Sequence, residues 1–303
     1  MASKEKLLML LKFPFYMIYF YLEALLRTIF LRPSPKDVRG EVVLVTGAGH
    51  GIGREIALEF GRMGCRVVLW DVNKSGNDSV AAEIKAAGGE AHPFVCDLCK
   101  TEDIKTVSAQ VKKNIGDVDI LVNNAGILYG GEMLKMREEH IRRTFEVNTL
   151  SHFWTTKEFL PAMIKKKKGH IVTISSMSAK SGTALLVDYS SSKYAAFGFA
   201  EAMEEEMDRL GHSYIKFTTV CPMFVSSGLV KATTDVDEPL LTPKRVALAT
   251  VNGTLLNRAV VMIPETLAFS LRIAAWFPRK LNLWLKKAGN LGIQPQYNSS
   301  KHD

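Results

Sequence analysis

From Val42 to Gly53 the chain reads Val-Val-Leu-Val-Thr-Gly-Ala-Gly-His-Gly-Ile-Gly, an apolar β-branched run that breaks into glycines just before the helix-like segment Arg54–Phe60. A strand that enters a helix through Gly47, Gly51 and Gly53 leaves bare backbone where free N–H groups and the helix dipole meet, an arrangement that accepts a pyrophosphate. An ordinary tight strand-to-helix turn is the alternative. Eighteen residues past Gly53 a second apolar run, Cys65–Asp71, ends in a carboxylate. An acid there accepts hydrogen bonds from both ribose hydroxyls of an adenosine and repels a 2′-phosphate, so the expected cofactor is NAD rather than NADP. Asp also closes strands simply as a turn former. Arg54 and Lys74 stand nearby, whereas Ala48 and His50 within the loop carry no permanent positive charge.

Strand-like runs near Val42, Arg66, Ala91, Ile120, His170 and Lys216 alternate with helix-length segments, and Val260–Ile263 is a candidate seventh strand. This alternation predicts right-handed βαβ units and hence an α/β fold with a doubly wound (Rossmann) parallel sheet. With 303 residues and 47% hydrophobic composition the chain is long enough for one such domain plus appendages. The expected organisation is an apolar membrane or lipid-droplet anchor over 1–36 and the Rossmann domain over 37–265. An amphipathic lid or membrane-contact segment follows over 266–293, then a disordered tail over 294–303.

Tyr189 and Lys193 stand four residues apart in Tyr-Ser-Ser-Ser-Lys, and Ser176 closes the β-rich run His170–Ser176 thirteen residues before Tyr189. Residues i and i+4 of a helix share a face, so Lys193 is expected beneath the Tyr189 hydroxyl, where its charge favours the phenolate. A free tyrosine titrates near pH ~10, too high to accept a proton readily at neutral pH. Ser176 is then placed to hold a substrate oxygen. Taken alone, the Tyr-x-x-x-Lys spacing is equally that of a buried helix start with a solvated lysine.

Thr46-Gly-x-x-x-Gly-Ile-Gly53, Asn123-Asn-Ala-Gly126, Asn148, Ser176 and Tyr189-x-x-x-Lys193 fall in one order and spacing. Over Glu41–Ile263 the chain resembles the classical short-chain dehydrogenase/reductase family. It is most similar to the membrane- and lipid-droplet-associated subgroup that includes the 17β-hydroxysteroid dehydrogenases types 11 and 13 and the epidermal retinol dehydrogenases. That closer likeness rests on the apolar leader, on Val68-Leu-Trp-Asp-Val-Asn-Lys74 and on His152-Phe-Trp-Thr-Thr-Lys157. The resemblance implies a catalytic set of Asn148, Ser176, Tyr189 and Lys193, with Tyr189 as general acid/base and Asn148 holding a relay water. It implies a cofactor site of Gly47, His50, Gly51, Ile52, Gly53, Asp71, Asp97, Leu98, Asn124, Tyr189, Lys193, Val225 and Ser227. Asp97 would meet the adenine amino group, and Asn123 and Gly126 would line the adenosine side. The family pattern Pro-Gly-x-Val-x-Thr stands here as Pro222-Met-Phe-Val-Ser-Ser227, with Met223 replacing a glycine. A homodimer through helices near Thr144–Met163 and Tyr189–Leu210 is also implied.

Two segments outside this region point to lipid. From Leu7 to Leu31 the chain is apolar and aromatic but interrupted by Lys12, Pro14, Glu23 and Arg27. Its longest uncharged stretch, Phe13–Leu22, is shorter than the roughly 20 residues that span a bilayer, and no small-residue cleavage site follows. A helix starting at Pro14 and lying in an interface fits this pattern; covering the protein's own core or a dimer partner is the alternative. Between Leu267 and Leu291, Trp276, Phe277 and Trp284 interleave with Arg272, Arg279, Lys280, Lys286 and Lys287, a mixture that anchors at a lipid surface or caps a substrate cleft. The net charge of +8 fits anionic headgroups and comes with no nucleic-acid motif. The run Lys165–Lys168 reads as a solvated loop. Four cysteines make no disulfide framework, and Cys96-x-x-Cys99 lacks a second pair for a metal site, so no metal is expected.

Positive charge after the leader at Arg27, Arg32, Lys36 and Arg39 favours a cytosolic catalytic domain on the endoplasmic reticulum membrane or a lipid droplet. The sequons at Asn77, Asn252 and Asn298 would matter only in a lumen. The expected activity is NAD-dependent oxidation of a lipophilic alcohol such as a 17β-hydroxysteroid, a retinol or a related lipid. An NADPH-linked lipid ketone reductase and an NAD-binding scaffold with little turnover are the alternatives.

Overall fold

Seven parallel strands form from the apolar runs: β1 (Val42–Thr46), β2 (Arg66–Asp71), β3 (Glu90–Val95), β4 (Ile120–Asn123), β5 (Gly169–Ile174), β6 (Ile215–Pro222) and β7 (Val260–Ile263). They align in the order β3-β2-β1-β4-β5-β6-β7. This doubly wound architecture is the one the sequence predicts, the candidate seventh strand included. The computed structural model describes residues 2–30, 34–229, 240–274 and 276–288. The polar tail 294–303 and most of the variable stretch between Ser226 and Pro243 lie outside the described residues.

Strand residues alternate between two faces, and both are buried because helices cover each. One face carries Val43, Val45, Leu69 and Val122 against Ile56 and Phe60 of α2 (Gly51–Arg62), Val80 and Ile84 of α3 (Lys74–Ala86), and Val246 and Val251 of α8 (Pro243–Leu255). The other carries Leu44, Trp70, Leu121 and Ile171 against Ile104 of α4 (Thr101–Asn114), Phe159 and Met163 of α6 (Ser151–Lys166), and Met207 of α7 (Val187–Arg209). α5 (Glu138–Phe145) leads into α6, and α9 (Thr266–Ala274) and α10 (Arg279–Ala288) follow β7. Strand order reverses between β1 and β4, which opens a crevice at their carboxyl ends.

The chain divides into two compact units, 1–36 and 37–303. In the first, α1 (Ala2–Phe30) runs straight through Pro14 rather than starting there. A proline removes one backbone donor and crowds one turn, and the apolar residues on either side still propagate the helix. Every residue from Leu11 to Leu22 is exposed, and Tyr16 stacks on Phe20 with ring centroids 6.3 Å apart. No helix among the described residues is long and apolar enough to cross a membrane.

One local reading is corrected. The lysine run is not simply a solvated loop: Lys166 pairs with Asp119 at 3.0 Å and Lys168 with Glu41 at 2.5 Å, tying the end of α6 to the start of the sheet. The sequon residue Asn77 is buried. It is 1% exposed, and its amide donates to the carbonyls of Leu69 and Phe94.

Candidate active site

The crevice is a cavity of about 690 Å³. Of the residues expected to form a site, all but Asn123 and Asn148 line it: Gly47, His50, Gly51, Ile52, Gly53, Asp71, Asp97, Leu98, Asn124, Gly126, Ser176, Tyr189, Lys193, Val225 and Ser227. Long-range packing thus brings together groups supplied by six strand ends and by α2 and α7.

At one end the loop after β1 is built for close approach. Gly47 has φ +65°, and a Cβ there would come within 2.9 Å of Ala125 Cα; one on Gly53 would meet the Gly47 carbonyl oxygen at 2.1 Å. α2 starts after His50 with no side-chain cap and no acid in its first turn, so its free N–H groups are left for an anion. Asp71, 7% exposed, accepts the Gly49 N–H at 2.8 Å through one oxygen and the Asn73 N–H at 2.8 Å through the other. Asp97 accepts the Cys99 N–H at 3.0 Å. These residues fit a dinucleotide: a bare backbone cradle at a helix N-terminus, with a carboxylate one strand over.

The two asparagines at the end of β4 part company. Asn124 Nδ2 donates to the Thr46 and Gly47 carbonyls at 2.8 and 3.2 Å, clamping the glycine loop. Asn123 does not line the cavity; it is 1% exposed and its Oδ1 accepts the Thr155 hydroxyl at 2.8 Å. Alternation along the strand turns it beneath the sheet's helical cover. Thr46 joins the site's framework, its hydroxyl accepting the N–H groups of Asn124 and Ala125 at 3.0 and 3.1 Å. The sequence signal for that role was the hydroxyl at the very end of an otherwise apolar strand.

At the other end, Tyr189 and Lys193 sit one turn apart near the start of α7, and Ser176 follows β5. Lys193 Nζ lies 5.7 Å from the Tyr189 ring centroid and donates to the Ile174 carbonyl at 2.9 Å. Burial pushes the Tyr189 hydroxyl up to about 12, while the Ser176 side chain pulls the other way. Burial likewise draws Lys193 down to about 8. Desolvation is the leading cause of both shifts.

Asn148 lies in a π-helical segment, Glu146–Leu150, between α5 and α6. Such segments recur at functional sites because they turn a side chain out of register. Its amide donates to the Ile127 carbonyl and the Ser192 hydroxyl, both at 3.0 Å, and its Oδ1 accepts the Ile127 N–H at 2.8 Å. The side chain thus links the loop after β4 to α7.

Met223 needs no glycine-like backbone. Its N–H bonds to the Ile263 carbonyl at 2.9 Å and its side chain packs on the core. Val225 pairs with Leu241 in an isolated bridge, and the Ser227 N–H donates to the Val225 carbonyl at 2.8 Å. Around Tyr189 the wall is apolar, with Leu186 buried beside it and Leu128, Leu185, Phe224 and Leu229 packed against the pair. Leu283 and Lys287 of α10 also reach the cavity. Cys96 and Cys99 are free thiols, held up at about 12 and about 11 chiefly by burial.

Residues 41–238 match the family described as short chain dehydrogenase. The chain is 40% identical over 277 residues to human 17-beta-hydroxysteroid dehydrogenase 13, covering 91% of this chain and 92% of that protein. It is 41% identical over 252 residues to mouse estradiol 17-beta-dehydrogenase 11, covering 83% and 84%. Among solved structures it resembles a 7 alpha-hydroxysteroid dehydrogenase complexed with NADH and 7-oxo glycochenodeoxycholic acid, with a TM-score of 0.69, 29% identity, and coverage of 74% and 93%. A glycine cradle for a nicotinamide dinucleotide, a Tyr–Lys pair one helical turn apart and likeness over nine-tenths of the chain agree: the chain belongs to the short-chain dehydrogenase family, in the group of the 17β-hydroxysteroid dehydrogenases 11 and 13.

Proposed function

We propose that this oxidoreductase oxidises a lipophilic alcohol, a 17β-hydroxysteroid, a retinol or a related lipid alcohol, with NAD at a membrane or lipid-droplet surface. The observation that carries the reading is the apolar wall of Leu128, Leu185, Leu186, Phe224 and Leu229 around Tyr189. A polar substrate would lose its hydration there without replacement, whereas a lipid gains from burial. The names of the relatives point to the same substrate class.

Gly47, Gly51 and Gly53 would hold the pyrophosphate, Asp71 the adenosine ribose, Asp97 and Leu98 the adenine side, and Val225 and Ser227 the carboxamide end. A bound nicotinamide supplies the hydride acceptor. Ser176 holds the substrate oxygen, Tyr189 as phenolate removes the hydroxyl proton, and Lys193 donates toward that oxygen and the neighbouring ribose. Because burial sets Tyr189 high, the phenolate must be favoured by positive charge gathered at the site, and Lys193 is the cation within the cavity next to it. The exposed apolar face of α1 supports lipid-surface action, and a homodimer through α6 and α7 fits their exposed Phe153 and Tyr194.

The test is a panel of estradiol, retinol and long-chain alcohols with NAD and NADP in detergent and in reconstituted membranes. Tyr189→Phe should lower kcat by ~10²–10⁴-fold while NADH binding stays within a few-fold. A variant that retains a tenth or more of kcat sinks the acid/base role.

A further inference from the structure

α5 holds the substrate side of the cavity from outside. Its two buried side chains, His140 and Thr144, stand four residues apart and share one face. The His140 ring lies flat on Tyr129 of the loop after β4, with centroids 3.9 Å apart and planes 5° from parallel. One turn on, the Thr144 hydroxyl bonds to the His140 carbonyl at 2.8 Å and to Asp188 Oδ2 at 3.1 Å. Asp188 is 3% exposed and directly precedes Tyr189. One helical face therefore grips two segments, the loop that carries Leu128 and the first turn of α7.

The same two segments are also tied to each other. The Gly131 N–H donates to the Leu185 carbonyl at 2.7 Å. Leu185 has φ +62°, in the left-handed region where a bulky L-residue crowds its own backbone. Such a conformation persists only where its surroundings over-determine it, and the bond from Gly131 is one of those constraints. Leu128 from the first segment and Leu185 and Leu186 from the second then pack about Tyr189 with Phe224 and Leu229. Leu128 lines the cavity, whereas its neighbour Tyr129, half-buried, is not among the lining residues. The Tyr129 ring supports the wall from behind, and a ring stack adds to what burial alone contributes.

We propose that Tyr129 and His140 are a positioning pair that fixes Leu128 in the substrate wall and thereby sets a preference for bulky lipid alcohols over short ones. The inference rests on the reading that the substrate occupies the apolar wall around Tyr189. A wall held from two sides keeps its shape before the substrate arrives, so a ligand that fills it binds without having to order the loop. A short alcohol that reaches only Ser176 and Tyr189 draws nothing from Leu128. The pair therefore acts on binding of the lipid body, and leaves the chemical step and the dinucleotide end alone. Neither ring lines the cavity.

The experiment compares Tyr129→Leu and His140→Leu, which each remove one ring, their double variant, and Tyr129→Phe, which keeps the stack. Hydrogen exchange of the full chain with NADH bound reads the loop directly, and oxidation of estradiol, retinol and cyclohexanol with NAD reads the wall. In each leucine variant, exchange over 127–132 and 183–187 should quicken roughly two- to tenfold, the range of one aromatic stack. KM for estradiol or retinol should rise by a similar factor with kcat within about twofold, while KM for cyclohexanol and NADH affinity stay at wild-type values. Tyr129→Phe should behave as wild type, and the double variant should be no worse than the single ones, because the two rings act as one unit. Wild-type exchange of the loop in Tyr129→Leu overturns the proposal. So does a Tyr129→Phe as impaired as Tyr129→Leu, or a loss that extends equally to cyclohexanol and NADH. If one leucine variant fails to fold, the other decides alone. A wild-type enzyme that turns over none of the alcohols overturns the lipid-alcohol reading, and hydrogen exchange still decides the pair.

Discussion

Asp71 Oδ2 accepts the Gly49 N–H at 2.8 Å across the crevice, so the carboxylate that ends β2 also pins the glycine loop between β1 and α2. If Asp71 selects the cofactor as proposed, that selection and the order of the loop are coupled through one side chain.

Replacing Asp71 should separate these two roles. Asp71→Ala removes charge and loop anchor together, so kcat/KM should fall with both cofactors while the NADP/NAD ratio rises. A hydrogen bond to a charged group contributes about 1.5–3 kcal/mol, roughly ten- to hundredfold in affinity. Asp71→Asn keeps an acceptor for Gly49 and should shift the same ratio with a smaller absolute loss. An unchanged ratio in both variants would show that another group selects the cofactor.

Gly53→Ala is expected to disable cofactor binding without unfolding the sheet. The added methyl would stand 2.1 Å from the Gly47 carbonyl oxygen, a backbone atom with little room to yield. NADH affinity measured by fluorescence titration should weaken by more than about tenfold, or ~1.4 kcal/mol. Native affinity together with a native melting temperature would contradict the packing seen at this turn.

Acid sensitivity should trace in part to His152. Its folded pKa is lowered to about 3 from an ordinary 6.5, so the unfolded chain binds the extra proton between those values. Stability from this group is full above pH ~6.5 and lost as pH falls toward 3, which amounts to about 2 kcal/mol between pH 7.5 and 5. The melting temperature of His152→Phe relative to wild type should therefore rise over that interval. Parallel pH profiles would mean that the imidazole is not held neutral in the fold.

Deleting residues 2–31 removes α1, which belongs to a compact unit of its own, and none of the residues lining the cavity. The truncated enzyme should lose membrane or droplet association yet still oxidise a detergent-dispersed alcohol. Any remaining lipid binding through the basic and aromatic residues of α10 should weaken with salt, since screening acts over ~8–10 Å at physiological ionic strength. Full partitioning in high salt would move the main anchor elsewhere. A soluble protein unable to bind NADH would make α1 part of the catalytic fold.

Much of the domain was legible because its signals are local. The β-branched runs, the glycines before α2, the acid closing β2 and the four-residue step from Tyr189 to Lys193 each encode geometry within one turn or one strand. Their order alone dictates a doubly wound sheet with its crevice at the β1/β4 reversal. Relationships set by packing across the sheet were not legible. Asn123 and Asn124 are identical in sequence terms, and only the pleat under α6 turns one into the interior and the other onto the glycine loop. The spacing of Tyr189 and Lys193 says nothing of their burial, which raises one pKa and lowers the other. Asn148 is a lone residue in the motif, and only the fold shows that its side chain bonds to Ile127 and Ser192 from a π-helical segment. Likewise, nothing local distinguishes His152 from a surface histidine of an amphipathic helix. The meeting of α6 with α7 buries it, because sequence period selects a helix face while tertiary contact decides what that face meets.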